Sequence, residues 1–96
     1  MSATFFVQFT IKDAEKFKVY GAGAGPTLAA HGGTFAGRFM VEDVLEGASA
    51  HQGVVMLEFP SLEAAKGWYN SPEYQALIPT RREAADMVFL LTAPAG

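Results

Sequence analysis

Between Thr4 and Ile11 every second residue is large and apolar: Phe5, Val7, Phe9 and Ile11 share one face, and Thr4, Phe6, Gln8 and Thr10 the other. That alternation predicts a strand with one buried and one mixed face, as in a sheet covered by helices on one side. The period then changes. Asp13 offers an N-cap with Glu15 in the first turn, and Phe17, Tyr20, Ala24 and Leu28 recur at the spacings of an amphipathic helix. Gly21, Gly23, Gly25 and Pro26 interrupt it. Each glycine costs about 1 kcal/mol relative to alanine and the proline removes a donor. The pattern therefore predicts two helical pieces, Asp13 to Ala22 and Pro26 to His31, with a kink between them. Gly32-Gly33 closes the second piece, one of the two in the left-handed conformation of a C-cap.

A second strand is predicted from Thr34 to Leu45, with a bulge near Gly37, and Glu46 to Gln52 reads as a polar hairpin connection. Gly53 to Phe59 alternates again and forms a third strand. Ser61 caps a helix that turns Leu62, Ala65, Trp68 and Tyr69 inward, and Ser71-Pro72 opens a further helical piece. Thr80 and Glu83 have capping-box spacing, so a fresh turn is expected after Pro79. Met87 to Thr92 is the last strand, with 93–96 a flexible tail. The order β-α-β-β-α-β is the ferredoxin-like pattern: an α+β domain spanning 1–96, with a four-stranded antiparallel sheet and helices on one face. The other face, carrying Phe6, Val54 and Met56, is too apolar to meet water, so two sheets are expected to pair into a homodimer with a barrel-like core.

Composition sharpens that expectation. The 96 residues are 50% hydrophobic and only 18% charged, a surplus of apolar surface for so short a chain. A net charge of -3 argues against nucleic acid as a partner. Zero cysteines remove disulfides, thiolate nucleophiles and most structural zinc sites. No apolar run approaches the roughly 20 residues of a membrane span, and no basic residue precedes Lys12 as a signal segment requires. A cytoplasmic protein without membrane association is expected.

Few residues carry chemistry. The Gly21–Gly25 run lies inside a helix rather than between a strand and a helix N-terminus, so it lacks the context of a phosphate loop. His51 falls in the polar connection and reads as solvated. His31 ends a helix, where it is either a cation on the helix dipole or a general acid or base at a cleft edge. Arg38 stands alone in an apolar strand and needs an anion: a salt bridge to Glu42, Asp43, Glu58 or a partner chain, or a ligand carboxylate. Glu58, if buried, would have a raised pKa, and an Arg38–Glu58 pair would satisfy both. Tyr20, Trp68, Tyr69 and Tyr74 are helix-inward aromatics whose hydroxyls need partners when buried, and of Arg81 and Arg82 one is expected solvated and one paired.

His31-Gly32-Gly33, Arg38, Leu45-Glu46-Gly47, Glu58-Phe59-Pro60-Ser61, Ala65, Trp68-Tyr69, Ser71-Pro72-Glu73-Tyr74-Gln75, Arg81 and Ala84-Ala85, in this order and spacing, resemble the domain-of-unknown-function family numbered 1330. The resemblance covers nearly the whole chain. It implies kinship with the dimeric α/β-barrel superfamily, whose relatives include cofactor-free monooxygenases, small isomerases and haem-binding enzymes. One departure stands out: Phe39-Met40 follow Arg38 where the family usually has Gly-Gly, so either a pocket there is narrower and more apolar or the site is lost. The family has no established reaction, and the residues themselves lead to a first reading: a small, partly apolar pocket between helices and sheet, bounded by Tyr20, His31, Arg38, Trp68 and Tyr74, with Glu58, Tyr69 and Arg81 as further ligand contacts. Its ligand would be a small organic acid. Turnover, if any, would be cofactor-independent proton transfer or oxygenation, with His31 as acid or base and Arg38 stabilising an oxyanion. The alternatives are a binding module without turnover and a purely structural dimer.

Overall fold

The alternating segment forms β1 (Ala3–Ile11), which buries Ala3, Phe5, Val7 and Phe9. The computed structural model describes residues 2–95. It continues with α1 (Ala14–Ala30), β2 (Thr34–Met40), β3 (Gly53–Phe59), α2 (Leu62–Tyr69), α3 (Pro72–Gln75), α4 (Ile78–Ala84) and β4 (Ala85–Thr92). The sheet is antiparallel in the order β2-β3-β1-β4. Phe5 meets Trp68 of α2 edge to face and Phe9 stacks on Phe17 of α1, so this face of the sheet carries the helices and the core.

The ferredoxin-like order stands, but the barrel does not. β2 and β4 are the two edges of an open sheet, with β3 and β1 between them. Three inter-strand spacings of about 4.8 Å separate those edges, so no hydrogen bond can close the sheet on itself. The expected dimeric α/β barrel is therefore replaced by an open four-stranded sheet.

Four local expectations also change. α1 runs unbroken from Ala14 to Ala30 with Pro26 inside it, where two pieces were expected. The residue before a proline resists the helical conformation through its Cβ, and Gly25 has none. Ala22, whose carbonyl the proline cannot satisfy, is exposed to water, as is Pro26 itself. β2 stops at Met40 rather than Leu45: the Val41 N–H still donates to the Gln52 carbonyl at 2.7 Å, but among the described residues no backbone bond joins 42–45 to a neighbouring strand. α4 begins at Ile78 with no side-chain cap, so Thr80 and Glu83 form no capping box. Pro79 sits in the first turn, where a missing N–H costs nothing. Leu62, expected inward on α2, is exposed at the first position of that helix, while Ala65 and Trp68 are buried. The caps behave as read: Asp13, Ser61 and Ser71 accept from the backbone at their N-caps, and Gly32 takes φ +76°.

The face of the sheet away from the helices is uncovered. Phe6, Phe39, Val88 and Leu90 are exposed there and Val54 and Met56 half-exposed, while Leu45 in the following connection is 91% exposed. No helix of the described residues is long and apolar enough to cross a membrane.

Candidate functional site

The inward positions of α1 are large at both ends and small in the middle. Phe17 and Tyr20 prop one end on the core and Leu28 the other, while Gly21, Ala24 and Gly25 between them have nothing to fill the gap. The result is a cavity of about 270 Å³ between α1 and the sheet. Val7, Val55, Leu57, Met87 and Phe89 form its floor, Trp68 closes one side, and Phe35 and Arg38 stand at β2. A Cβ placed on Gly21 or Gly25 would meet nothing within 4 Å, so both glycines open onto free space. The volume is roughly nine times a water molecule's share of the liquid, and the lining, apolar but for a few groups, suits a small apolar guest.

Arg38 reaches this wall because of a bulge. The β2–β3 register slips between Phe35 and Gly37, so that Phe35 opposes Leu57 and Arg38 opposes Val55, both on the helix side. Its guanidinium lies 5.6 Å from the Phe17 ring centroid and 5.9 Å from that of Phe9. The residue is exposed, where a site low in water was expected, and no ion pair of the described residues includes it. Glu58 cannot serve as its partner: it opposes Thr4 and Thr34 on the uncovered face and is itself exposed.

Beside the cavity lies a buried polar cluster. The hydroxyls of Tyr20 and Tyr74 are 2.7 Å apart, and Arg81 Nη1 donates to Tyr74 Oη at 2.9 Å and to Tyr69 Oη at 3.4 Å. The Arg81 guanidinium sits 4.7 Å from the centroid of the Phe89 ring. Tyr74 is fully buried, and Tyr20 and Arg81 are each 7% exposed. Burial pushes the Tyr20 phenol far above its ordinary pKa, with Tyr74 adding to it, and burial raises Tyr74 likewise. For Arg81 burial alone would lower the pKa, but the hydrogen bonds to Tyr74 and Tyr69 outweigh it, and the guanidinium is held charged.

Of the expected pocket residues, Tyr20, Arg38 and Trp68 line the cavity; Tyr69, Tyr74 and Arg81 stand next to it. His31 does not line it. It caps the C-terminus of α1, and its Nε2 lies 3.3 Å from Glu73 Oε2. The Glu73 carboxyl is held below the usual carboxylate range by its own backbone N–H and then by His31. His51 is half-buried against Thr10, its Nδ1 3.1 Å from the hydroxyl. Trp68 Nε1 donates to Thr27 Oγ1 at 3.1 Å, tying α2 to α1 across the cavity's end. Sequence reasoning missed Gly21, Gly25 and Phe89 as wall residues. The glycines were visible as a run, but only their place on an inward face shows what they leave empty. Among the described residues no group of three His, Asp or Glu side chains could hold a metal.

The family described as DUF1330, a domain of unknown function, matches residues 2–93. No functionally curated protein matches the sequence. Among solved structures, the RPA0582 protein of unknown function from Rhodopseudomonas palustris is 21% identical with a TM-score of 0.81, over 99% of this chain and 83% of that one. SnoaB from Streptomyces nogalater, a cofactor-independent oxygenase, is 15% identical with a TM-score of 0.69, over 99% and 94%. A dimeric ferredoxin-like protein of unknown function from Thermobifida fusca is 12% identical with a TM-score of 0.61, over 98% and 92%. At these identities the likeness is one of fold.

Proposed function

The chain belongs to the DUF1330 family of unknown function, and from the geometry of its own cavity we propose that it binds a small, largely apolar organic acid. The body of the ligand lies between α1 and the sheet and its acid group meets Arg38. The observation that carries this is an apolar cavity of about 270 Å³ with an unpaired guanidinium on its wall. Pockets for small molecules combine such apolar lining with a few polar groups that fix orientation. Tyr20, whose phenol stays protonated, is a second polar wall residue. The reading gives no part to His31 or Glu58, which lie outside the cavity.

Thermal shift with a panel of aliphatic and aromatic acids tests it, alongside their amides. An acid at a hundred times its Kd stabilises the fold by about 2.7 kcal/mol. Acids should raise the melting temperature of the parent more than that of Arg38→Met. Gly21→Leu, which fills the empty space facing α1, should abolish the shift while staying folded. If no compound of the panel moves the parent, the cavity is not a ligand site.

Turnover is the second reading, and the likeness to SnoaB supports it at the level of fold only. On this reading the cavity shelters an activated substrate for oxygenation without a cofactor, and oxygen consumption with a retained ligand is the assay. The assembly is proposed as a homodimer, supported by the uncovered apolar face and by dimeric proteins of the same fold. Light scattering should report twice 10.3 kDa at micromolar concentration; a monomer there overturns it.

A further inference from the structure

Arg81 is 7% exposed, yet no carboxylate pairs with it among the described residues. Its only partners are two phenols, both reached from Nη1. A guanidinium carries five N–H donors, so Nε and both hydrogens of Nη2 are unspent. The phenols add to the surplus. Tyr20 and Tyr74 share one O–H···O contact, which uses one of their two hydrogens, and the Tyr69 hydroxyl donates to nothing among the described residues. The cluster thus holds one buried positive charge and a set of free donors, with no acceptor to match them.

Stacking on Phe89, Tyr69 and Tyr74 satisfies the faces of the guanidinium but not its edge. A guanidinium enclosed on both faces is ordinarily paired with an anion at its edge. The unspent nitrogens are also reachable: no fully buried side-chain nitrogen or oxygen among the described residues lacks a partner, so Nε and Nη2 must touch accessible space.

We propose that the free Nε–Nη2 edge of Arg81 is a binding site for a carboxylate, distinct from the cavity wall at Arg38. The edge presents two parallel N–H groups, the geometry that a carboxylate matches with its two oxygens. Arg81 lines an open pocket with Lys12, Arg82 and Asp86, where the Lys12–Asp86 ion pair leaves the guanidinium charge for an anion to meet. The site goes beyond the cavity reading, because Arg81 is not one of the residues that line that cavity.

The test is a titration of the full chain with sodium acetate, followed by proton–nitrogen NMR of the arginine Nε–H groups. The chain has three arginines, and Arg38→Lys and Arg82→Lys, both at exposed positions, assign the Arg81 signal by elimination. Acetate should move that signal saturably and acetamide should not. The Gly21→Leu variant should keep the acetate response even where it has lost cavity ligands, which separates this site from the cavity. A signal unmoved by acetate at tens of millimolar, moved equally by acetamide, or saturated more tightly by inorganic phosphate overturns the assignment.

Discussion

Replacing Gly21 by alanine should make the protein more stable. Glycine costs about 1 kcal/mol relative to alanine within a helix, and a Cβ at Gly21 meets nothing within 4 Å, so no clash offsets the gain. In a 96-residue domain, about 1 kcal/mol raises the melting temperature by about 4–8 °C. The neighbouring glycines act as internal controls. At Gly23 the new Cβ would lie 2.9 Å from Leu77 Cδ2, the end of a flexible side chain that has to yield, so the gain shrinks. At Gly25 space is free, but the residue precedes Pro26 and a Cβ there disfavours the helical backbone. At Gly33 the Cβ would lie 2.5 Å from Leu28 Cδ1 and 2.7 Å from Phe59 Cε2, and the core must shift. Calorimetric melts should rank Gly21→Ala above the parent, Gly23→Ala and Gly25→Ala near it, and Gly33→Ala below it. A Gly21→Ala variant that melts below the parent would refute the continuous α1 and restore the broken helix.

Trp68→Ala should cost about 3–5 kcal/mol in urea unfolding, since the ring is 1% exposed and packs on Phe5, Phe59 and Tyr74; an unchanged midpoint would mean the ring is not core. Tyr20 and Tyr74 have raised pKa values in the fold, so their contribution is complete below the unfolded phenol value of about 10 and is lost as pH rises above it. Alkaline titration should therefore show part of the tyrosinate absorbance appearing only with unfolding, and that part should vanish in the Tyr20→Phe/Tyr74→Phe double variant. Placing lysine at Phe39 and Leu90, exposed on the uncovered sheet face, should turn the proposed dimer into a folded monomer by light scattering, whereas an unchanged mass would show that the face takes no part.

What could be read from the residues depended on whether a local signal agreed with its surroundings. Phe5, Val7 and Phe9 alternate and are buried as alternation demands, because a strand's period is rigid. The break expected in α1 came from adding the costs of three glycines and a proline, but the chain places Pro26 toward water and a glycine before it, so most of that cost disappears. Arg38 faces the helices through a bulge one residue wide, and a bulge reverses every parity argument beyond it. The burial of Arg81 was more accessible. Ile78, Arg81 and Ala84 recur every three residues along α4 and all three are buried, so the arginine occupies a core position in an otherwise apolar stripe. In isolation the pair does not say which arginine is the solvated one; in register with its neighbours, Arg82 is.

The place of β1 in the sheet has a consequence for synthesis. β1 is a central strand, hydrogen-bonded along its length to β3 on one side and β4 on the other, with Thr4 opposite both Glu58 and Thr92. On the ribosome it emerges before either neighbour. The segment Ala3–Ile11, rich in aromatic and β-branched residues and free of charge and proline, must stay unpaired while most of the domain is made. Only release of β4 lets the second edge of β1 be covered, so folding of this domain is completed after translation of its final strand and not during it. Until then the strand that anchors the finished sheet keeps one edge of unpaired N–H and C=O groups open, the feature by which strands of separate chains pair.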